Sequence, residues 1–285
     1  MRRMGDVLAG IHATWEFESD ALVIRFERGI RTPRLYQALR ERRVPHEALA
    51  SVTLTPGKRG TVVLHAVPRP GADPLMEAAA GQLKEGCDPY RLVLPAEREP
   101  LAAHYRDELL GRLAPGDGEP MPGDPFLVAP PRGPLSFKAY DGRASFDGAS
   151  EVTFRWSWTG ASSEKWKAGD QSFSVRDLCG VEWRSPDGLD GYLRLVRRGG
   201  EPRVPQADRD PASVVFGRGY GPVHESLPFA AAVLAAIRST DRVPARVATP
   251  GAVAERIRHL GELHQAGLVT DEEFSAKKAE LLAEL

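Results

Sequence analysis

Leu22-Val23-Ile24-Arg25-Phe26 and Val152-Thr153-Phe154-Arg155-Trp156 are two strand-like stretches that coincide when the chain is laid on itself at an offset of roughly 130 residues. Two further pairs follow in the same order. Glu47-Ala48-Leu49-Ala50-Ser51-Val52 lies over Arg176-Asp177-Leu178-Cys179-Gly180-Val181, and Asp88-Pro89-Tyr90-Arg91-Leu92-Val93-Leu94 lies over Asp210-Pro211-Ala212-Ser213-Val214-Val215-Phe216. An ordered set of weak matches at one offset is an internal duplication, so one unit's architecture is built twice.

Within a unit, short β-branched and aromatic runs bounded by Gly and Pro predict strands. In the first they are Thr14–Phe17, Leu22–Phe26, Val52–Thr55, Thr61–Ala66 and Tyr90–Leu94; in the second Arg143–Phe146, Val152–Trp156, Val181–Arg184, Tyr192–Val196 and Ser213–Phe216. Each unit closes with a helical segment, Leu101–Leu110 and Phe229–Ile237. Strands first and a helix last predict an α+β fold, an antiparallel sheet with a helix over one open end. The expected division is 8–112 and 135–240 for the repeats, a Pro/Gly-rich linker at 113–134, a hinge at 241–250 and a helical hairpin at 251–285. Phe126-Leu127-Val128, at the end of the Pro/Gly run, is apolar enough to dock on a repeat.

The hairpin is written in its caps. Thr249-Pro250 supplies an N-cap and a first-turn proline, and Val253, Ile257, Leu260 and Leu263 recur at helical spacing. Gly267 suits a left-handed stop, with Leu268 placed to contact Leu263. Thr270-Asp271-Glu272-Glu273 is a capping box, flanked by Val269 and Phe274 as a hydrophobic staple. Phe274, Leu281, Leu282 and Leu285 complete the apolar stripe. So small a hairpin needs a partner to be stable, whether another copy of itself, the repeats or another protein.

Composition excludes whole classes. With 285 residues, 42% hydrophobic and 27% charged, the chain is neither disordered nor a disulfide scaffold. Lys plus Arg is 38 against 39 for Asp plus Glu, a net charge of -1, so no global attraction to nucleic acid or anionic membrane is expected. Cys87 and Cys179 form no C-x-x-C pair, and reduced thiols in a cytoplasmic protein are expected, with a disulfide left open. Asp6, Gly10 and His12 break the apolar run that an export leader needs, and no stretch is long and apolar enough to span a bilayer.

Catalytic and cofactor patterns are absent. Gly217-Arg218-Gly219-Tyr220-Gly221-Pro222 sits where a dinucleotide loop would, but Pro222 takes the place of its third glycine. His259 and His264 are not spaced as a helical zinc pair. With no nucleophile elbow, phosphate loop or carboxylate cluster, neither catalytic activity nor a metal or other cofactor is expected. One local charge imbalance stands out: Arg28, Arg31, Arg34, Arg40, Arg42 and Arg43 against Glu27 and Glu41, between two strands of the first repeat. The second repeat has Trp158, Lys165, Trp166 and Lys167 there instead. The arginines could contact an anionic headgroup and the second set a membrane interface or a nucleic-acid base, the alternatives being a solvated arginine loop and tryptophans in the core.

From Ile257-Arg258-His259-Leu260 through Gly267-Leu268-Val269-Thr270-Asp271-Glu272-Glu273-Phe274 to Leu281-Leu282, the chain resembles the SHOCT (short C-terminal) domain. The repeats resemble the actinobacterial DUF4429 family, through Phe146-Asp147-Gly148, Leu178-Cys179-Gly180-Val181-Glu182-Trp183, Gly191-Tyr192-Leu193-Arg194-Leu195 and Ser213-Val214-Val215-Phe216. The first repeat has Trp15-Glu16-Phe17-Glu18 at the place of the Phe-Asp-Gly turn. The resemblances imply two tandem pleckstrin-homology-like units and an oligomerising or partner-binding hairpin, with no catalytic residues. The expectation is a non-enzymatic cytoplasmic binding or scaffold protein that self-associates or attaches to a protein partner. The alternative is a peripheral protein at the inner face of the membrane; an enzyme with a site between the repeats has no support in the sequence, and nucleic acid is not an expected partner.

Overall fold

The computed structural model describes residues 6–113, 126–199, 206–242 and Phe274. It divides into two compact units, Met1–Thr240 and Asp241–Leu285. Most of the linker at 114–125, the hinge from residue 243 on and the hairpin stripe except Phe274 lie outside the described residues.

The first repeat opens with β1 (Asp6–Ala9), β2 (Ala13–Phe17), β3 (Ala21–Phe26) and β4 (Glu41–Pro45), an antiparallel sheet in that order. A helical turn at His46–Ala48 redirects the chain into a second sheet of β5 (Leu49–Pro56), β6 (Thr61–Pro68) and β7 (Arg91–Pro95). Two short helices interrupt this plan, α1 (Arg34–Leu39) before β4 and α2 (Pro74–Ala79) before β7; α3 (Glu99–Arg112) follows β7. The second repeat repeats the order: β8 (Leu135–Lys138), β9 (Gly142–Phe146), β10 (Glu151–Trp156), α4 (Ser163–Ala168) and β11 (Gln171–Ser174), then β12 (Leu178–Arg184), β13 (Tyr192–Arg197), β14 (Ser213–Val215) and α5 (Val223–Arg242).

The duplication is visible bond by bond. The two sheets of each repeat meet at one corner through an amide, Ile11 N–H to Val93 O at 2.7 Å and Tyr140 N–H to Val215 O at 3.0 Å. The helical turn is held in both by the same long-range bond, Arg69 N–H to Ala48 O and Arg198 N–H to Asp177 O, each 2.8 Å. Both fifth strands bulge just after that turn, at Leu49/Ser51 and Leu178/Gly180. The substitution of Trp15-Glu16-Phe17-Glu18 for a Phe-Asp-Gly turn leaves the register intact: Glu18 N–H reaches Ala21 O as Asp147 N–H reaches Glu151 O.

Alternation buries one face of each strand, and the closing helices complete the cores. β2 places Ala13, Trp15 and Phe17 inward; Tyr105 of α3 stacks on Phe17 with ring centroids 4.2 Å apart. The buried face of α3 is Ala102, Tyr105 and Leu109, whereas Leu101 and Leu110 are exposed. In the second repeat Phe229 of α5 packs edge-on against Phe137 and Phe146, and Trp183 Nε1–H donates to Ser226 Oγ at 3.0 Å. Val128 is buried in the first repeat's core, and the Leu127 and Val128 amides both donate to Ala72 O.

The short helix α2 joins the repeats. Leu75, Ala78 and Ala79 lie in the second repeat's apolar cluster, together with Leu35 of α1. Gln82, just beyond α2, donates from Nε2 to Trp183 O at 2.9 Å and accepts the Ser185 amide on Oε1 at 3.0 Å. Arg238 of α5 reaches back to Glu77 at 2.5 Å and to Gly71 O at 3.1 Å. What fixes α2 is Asp73, whose carboxylate accepts from the Leu75 amide at 2.9 Å, Tyr90 Oη at 2.8 Å and Arg42 at 2.6 Å.

A second buried pair locks the other repeat. Lys165 of α4 points inward, its Nζ 2.5 Å from Asp141 Oδ2 and over the Trp156 ring at 5.0 Å, while Asp141 Oδ1 accepts the Val215 amide at 3.0 Å. Burial pushes the Asp141 carboxyl up, against the pull of Lys165.

Removing one member of a buried pair strands the other without solvent. Asp73→Ala and Lys165→Ala are each expected to lower the unfolding free energy by about 3–5 kcal/mol, whereas Lys167→Ala, on the exposed face of the same helix, should leave the denaturant midpoint unchanged. Two histidines set a pH dependence. His46 is held below the ordinary imidazole value first by burial and then by Arg112, and His224 by burial, with Glu225 opposing it. Their neutral forms are favoured in the folded state, so their contribution is complete above about pH 6.5 and is lost as pH falls through the lowered folded values. Urea midpoints should therefore drop between about pH 7.5 and pH 5, and His46→Gln should flatten the slope.

Candidate binding surface

The arginine-rich segment between β3 and β4 is a built structure. Leu35 and Tyr36 of α1 are buried; the Tyr36 ring stacks on Phe26 at 4.5 Å, and its hydroxyl donates to Asp88 O at 2.6 Å. Gln37 Nε2 donates to both Gly29 O and Thr32 O at 3.0 Å, tying the preceding loop to the helix.

This framework separates the arginines. Arg42 is buried against Asp73 and is unavailable to a ligand. Arg43 is exposed but neutralised by Glu18 and by Asp20 at 2.7 Å. Arg31, Arg34 and Arg40 are exposed and have no carboxylate partner among the described residues, and Arg34 lies close enough to His224 of α5 to depress its protonation. Ile30, beside Arg31, is fully exposed. The five candidate arginines therefore do not converge on one ligand.

In the second repeat Ser162 caps α4 by accepting the Lys165 amide, and the helix turns Lys165 inward and Trp166 and Lys167 outward. Lys165 belongs to the core pair with Asp141 and cannot also meet a ligand. Trp158 is 81% exposed and Trp166 49%, their rings edge to face with centroids 5.2 Å apart. The Ser157 amide donates to Asp141 O at 2.8 Å, tying this loop to the β8–β9 turn. On that turn Tyr140 is half exposed and meets Tyr220 edge-on at 6.1 Å, and Lys138 Nζ stands 5.2 Å over the Tyr220 ring.

Register brings together residues that sequence alone kept apart. Lys138 of β8 is opposite Arg143 of β9, and Arg143 is opposite Arg155 of β10, all three exposed on the outer face. No carboxylate pairs with any of them among the described residues. The outward position of Arg155 was legible from strand alternation, but its neighbours depend on the pairing of three strands.

Among the described residues no helix is long and apolar enough to cross a membrane. No curated protein matches the chain. The family model for a domain of unknown function, DUF4429, matches residues 15–110 and again 144–234, and that for the short C-terminal domain, SHOCT, matches residues 255–282. The chain thus belongs to the DUF4429 family, with two tandem copies of that domain followed by a SHOCT domain.

Proposed function

We propose that this is a non-enzymatic cytoplasmic binding protein, in which two pleckstrin-homology-like repeats recognise a ligand surface and the SHOCT segment brings copies or a protein partner together. The observation that carries the reading is the way α2 packs one repeat on the other through Leu75, Ala78 and Ala79. Apolar side chains fill that junction and Gln82 and Arg238 tie it by hydrogen bonds, so the two copies are held together as one recognition body. Fixed together, the repeats present different loops after their third strands, arginines in one and tryptophans in the other.

The pleckstrin-homology-like assignment is supported by the order of four strands, three strands and a closing helix in both copies. Assembly is supported by the apolar stripe Val253, Ile257, Leu260, Leu263, Leu268, Phe274, Leu281, Leu282 and Leu285, which a short hairpin cannot bury alone. A second reading, attachment to an anionic membrane surface, is favoured by the exposure of the Trp158 indole.

Light scattering coupled to size exclusion tests assembly. The full chain should run as an oligomer and a version ending before Thr249 as a monomer. Equal monomeric masses would reject self-association and turn the stripe toward another protein.

A further inference from the structure

We infer that the second repeat, through the outer face of β8–β10 and the aromatic loop beside it, is the surface that docks on an anionic lipid bilayer. The inference rests on the membrane reading above and assigns residues to it.

The row Lys138–Arg143–Arg155 is the starting point. Residues directly opposite in antiparallel strands have Cβ atoms about 4.5–5.5 Å apart, and like charges there oppose folding. Arg143 has a cation on both sides. Two acids lie near this row, Asp170 and Glu151, and neither forms an ion pair with it among the described residues. Asp170, next to Arg155 along the register, accepts the Trp156 amide at 3.1 Å, and Glu164 accepts from Ser163 Oγ at 3.0 Å. One step along the strands the same face carries only hydroxyls, Ser136, Ser145, Thr153 and Ser172. A sheet that sets three cations side by side, none of them in an ion pair among the described residues, is complementary to an external anionic surface.

The first repeat shows that the fold does not require this row. Its corresponding positions are Ala9, Thr14 and Arg25, and Arg25 is neutralised by Glu16 and by Glu41 at 2.8 Å. The charge is thus a property of one copy, superimposed on a shared scaffold.

The aromatic residues distinguish a bilayer from a nucleic acid. Bases would be stacked by rings on the sheet face, and the outward residues of β8–β10 are cations, hydroxyls and Glu151, with no aromatic ring among them. The indole of Trp158 instead sits in the loop directly after β10, three residues from Arg155, and that of Trp166 on the following helix α4, edge to face with it. Amphipathic rings beside cations match the headgroup level of a bilayer, where indoles partition and cations meet lipid phosphates.

The test is flotation of the full-length protein with vesicles of phosphatidylcholine alone or mixed equally with phosphatidylglycerol, at low and high salt. The native protein should float with the anionic vesicles only, and less at high salt. Arg143→Glu should weaken that binding by about tenfold or more, while its thermal midpoint holds or rises by about 1–3 °C, because a carboxylate at 143 lies between two cations. Trp158→Ala should also weaken flotation without loss of stability. If Arg143→Glu floats normally and Arg28→Glu/Arg31→Glu, flanking Ile30, does not, the membrane reading stands and the assignment to the second repeat falls. If the native protein does not float on anionic vesicles at low salt, both fall. Binding of a single-stranded oligonucleotide that Arg143→Glu abolishes, with vesicle binding unaffected, would overturn the lipid assignment as well.

Discussion

Asp73 carries an arrangement that the rest of the structure depends on. Its side chain has no contact with solvent, yet it caps α2, receives the Tyr90 hydroxyl and faces the Arg42 guanidinium. A charge so placed is tolerable only when it is paired and hydrogen-bonded. Because the capped helix carries the side chains that reach the second repeat, one carboxylate joins the interior of the first unit to its junction with the next. The second repeat solves the equivalent problem of closing its sheets with a different pair, Asp141 and Lys165.

The duplicated scaffold keeps its backbone bonds and exchanges its side chains. Asp88 and Asp210 both accept an amide two residues ahead, from Tyr90 and Ala212. On the paired strand, His65 faces the first aspartate at 3.2 Å and Arg194 the second at 2.9 Å. Backbone geometry is fixed by the needs of sheet pairing, whereas a polar partner can change provided it still donates. The two copies were thereby free to acquire distinct surfaces without disturbing a common fold.

Much of this was legible from residues. Five strands of each repeat announce themselves by β-branched and aromatic runs, and both closing helices lie where the periodicity set them. β1, β4, β8 and β11 escaped notice because they are edge strands of four or five residues, with sequences such as Glu41-Arg42-Arg43-Val44-Pro45 that carry more charge than apolar pattern. α1, α2 and α4 have six residues each, too few for a helical period to register. The binding surface was read less well for a related reason. Composition counts Arg42 and Lys165 as surface cations, and only tertiary pairing with Asp73 and Asp141 removes them; the Lys138–Arg143–Arg155 row exists only once three strands are in register.

Gln82 has a further consequence. Its single amide group satisfies both a carbonyl of β12, the outermost strand of its sheet, and the N–H of Ser185 just past that strand's end, as a neighbouring peptide unit would. Open strand edges invite pairing with other chains, and proteins protect them with charge, proline, bulges or covering elements. Here the first repeat supplies that protection to the second. Detaching the copies would therefore uncover an adhesive strand as well as an apolar patch, so the second repeat produced alone should be far more prone to clump than the tandem, and the pair is best regarded as a chaperoned couple whose members stay soluble together.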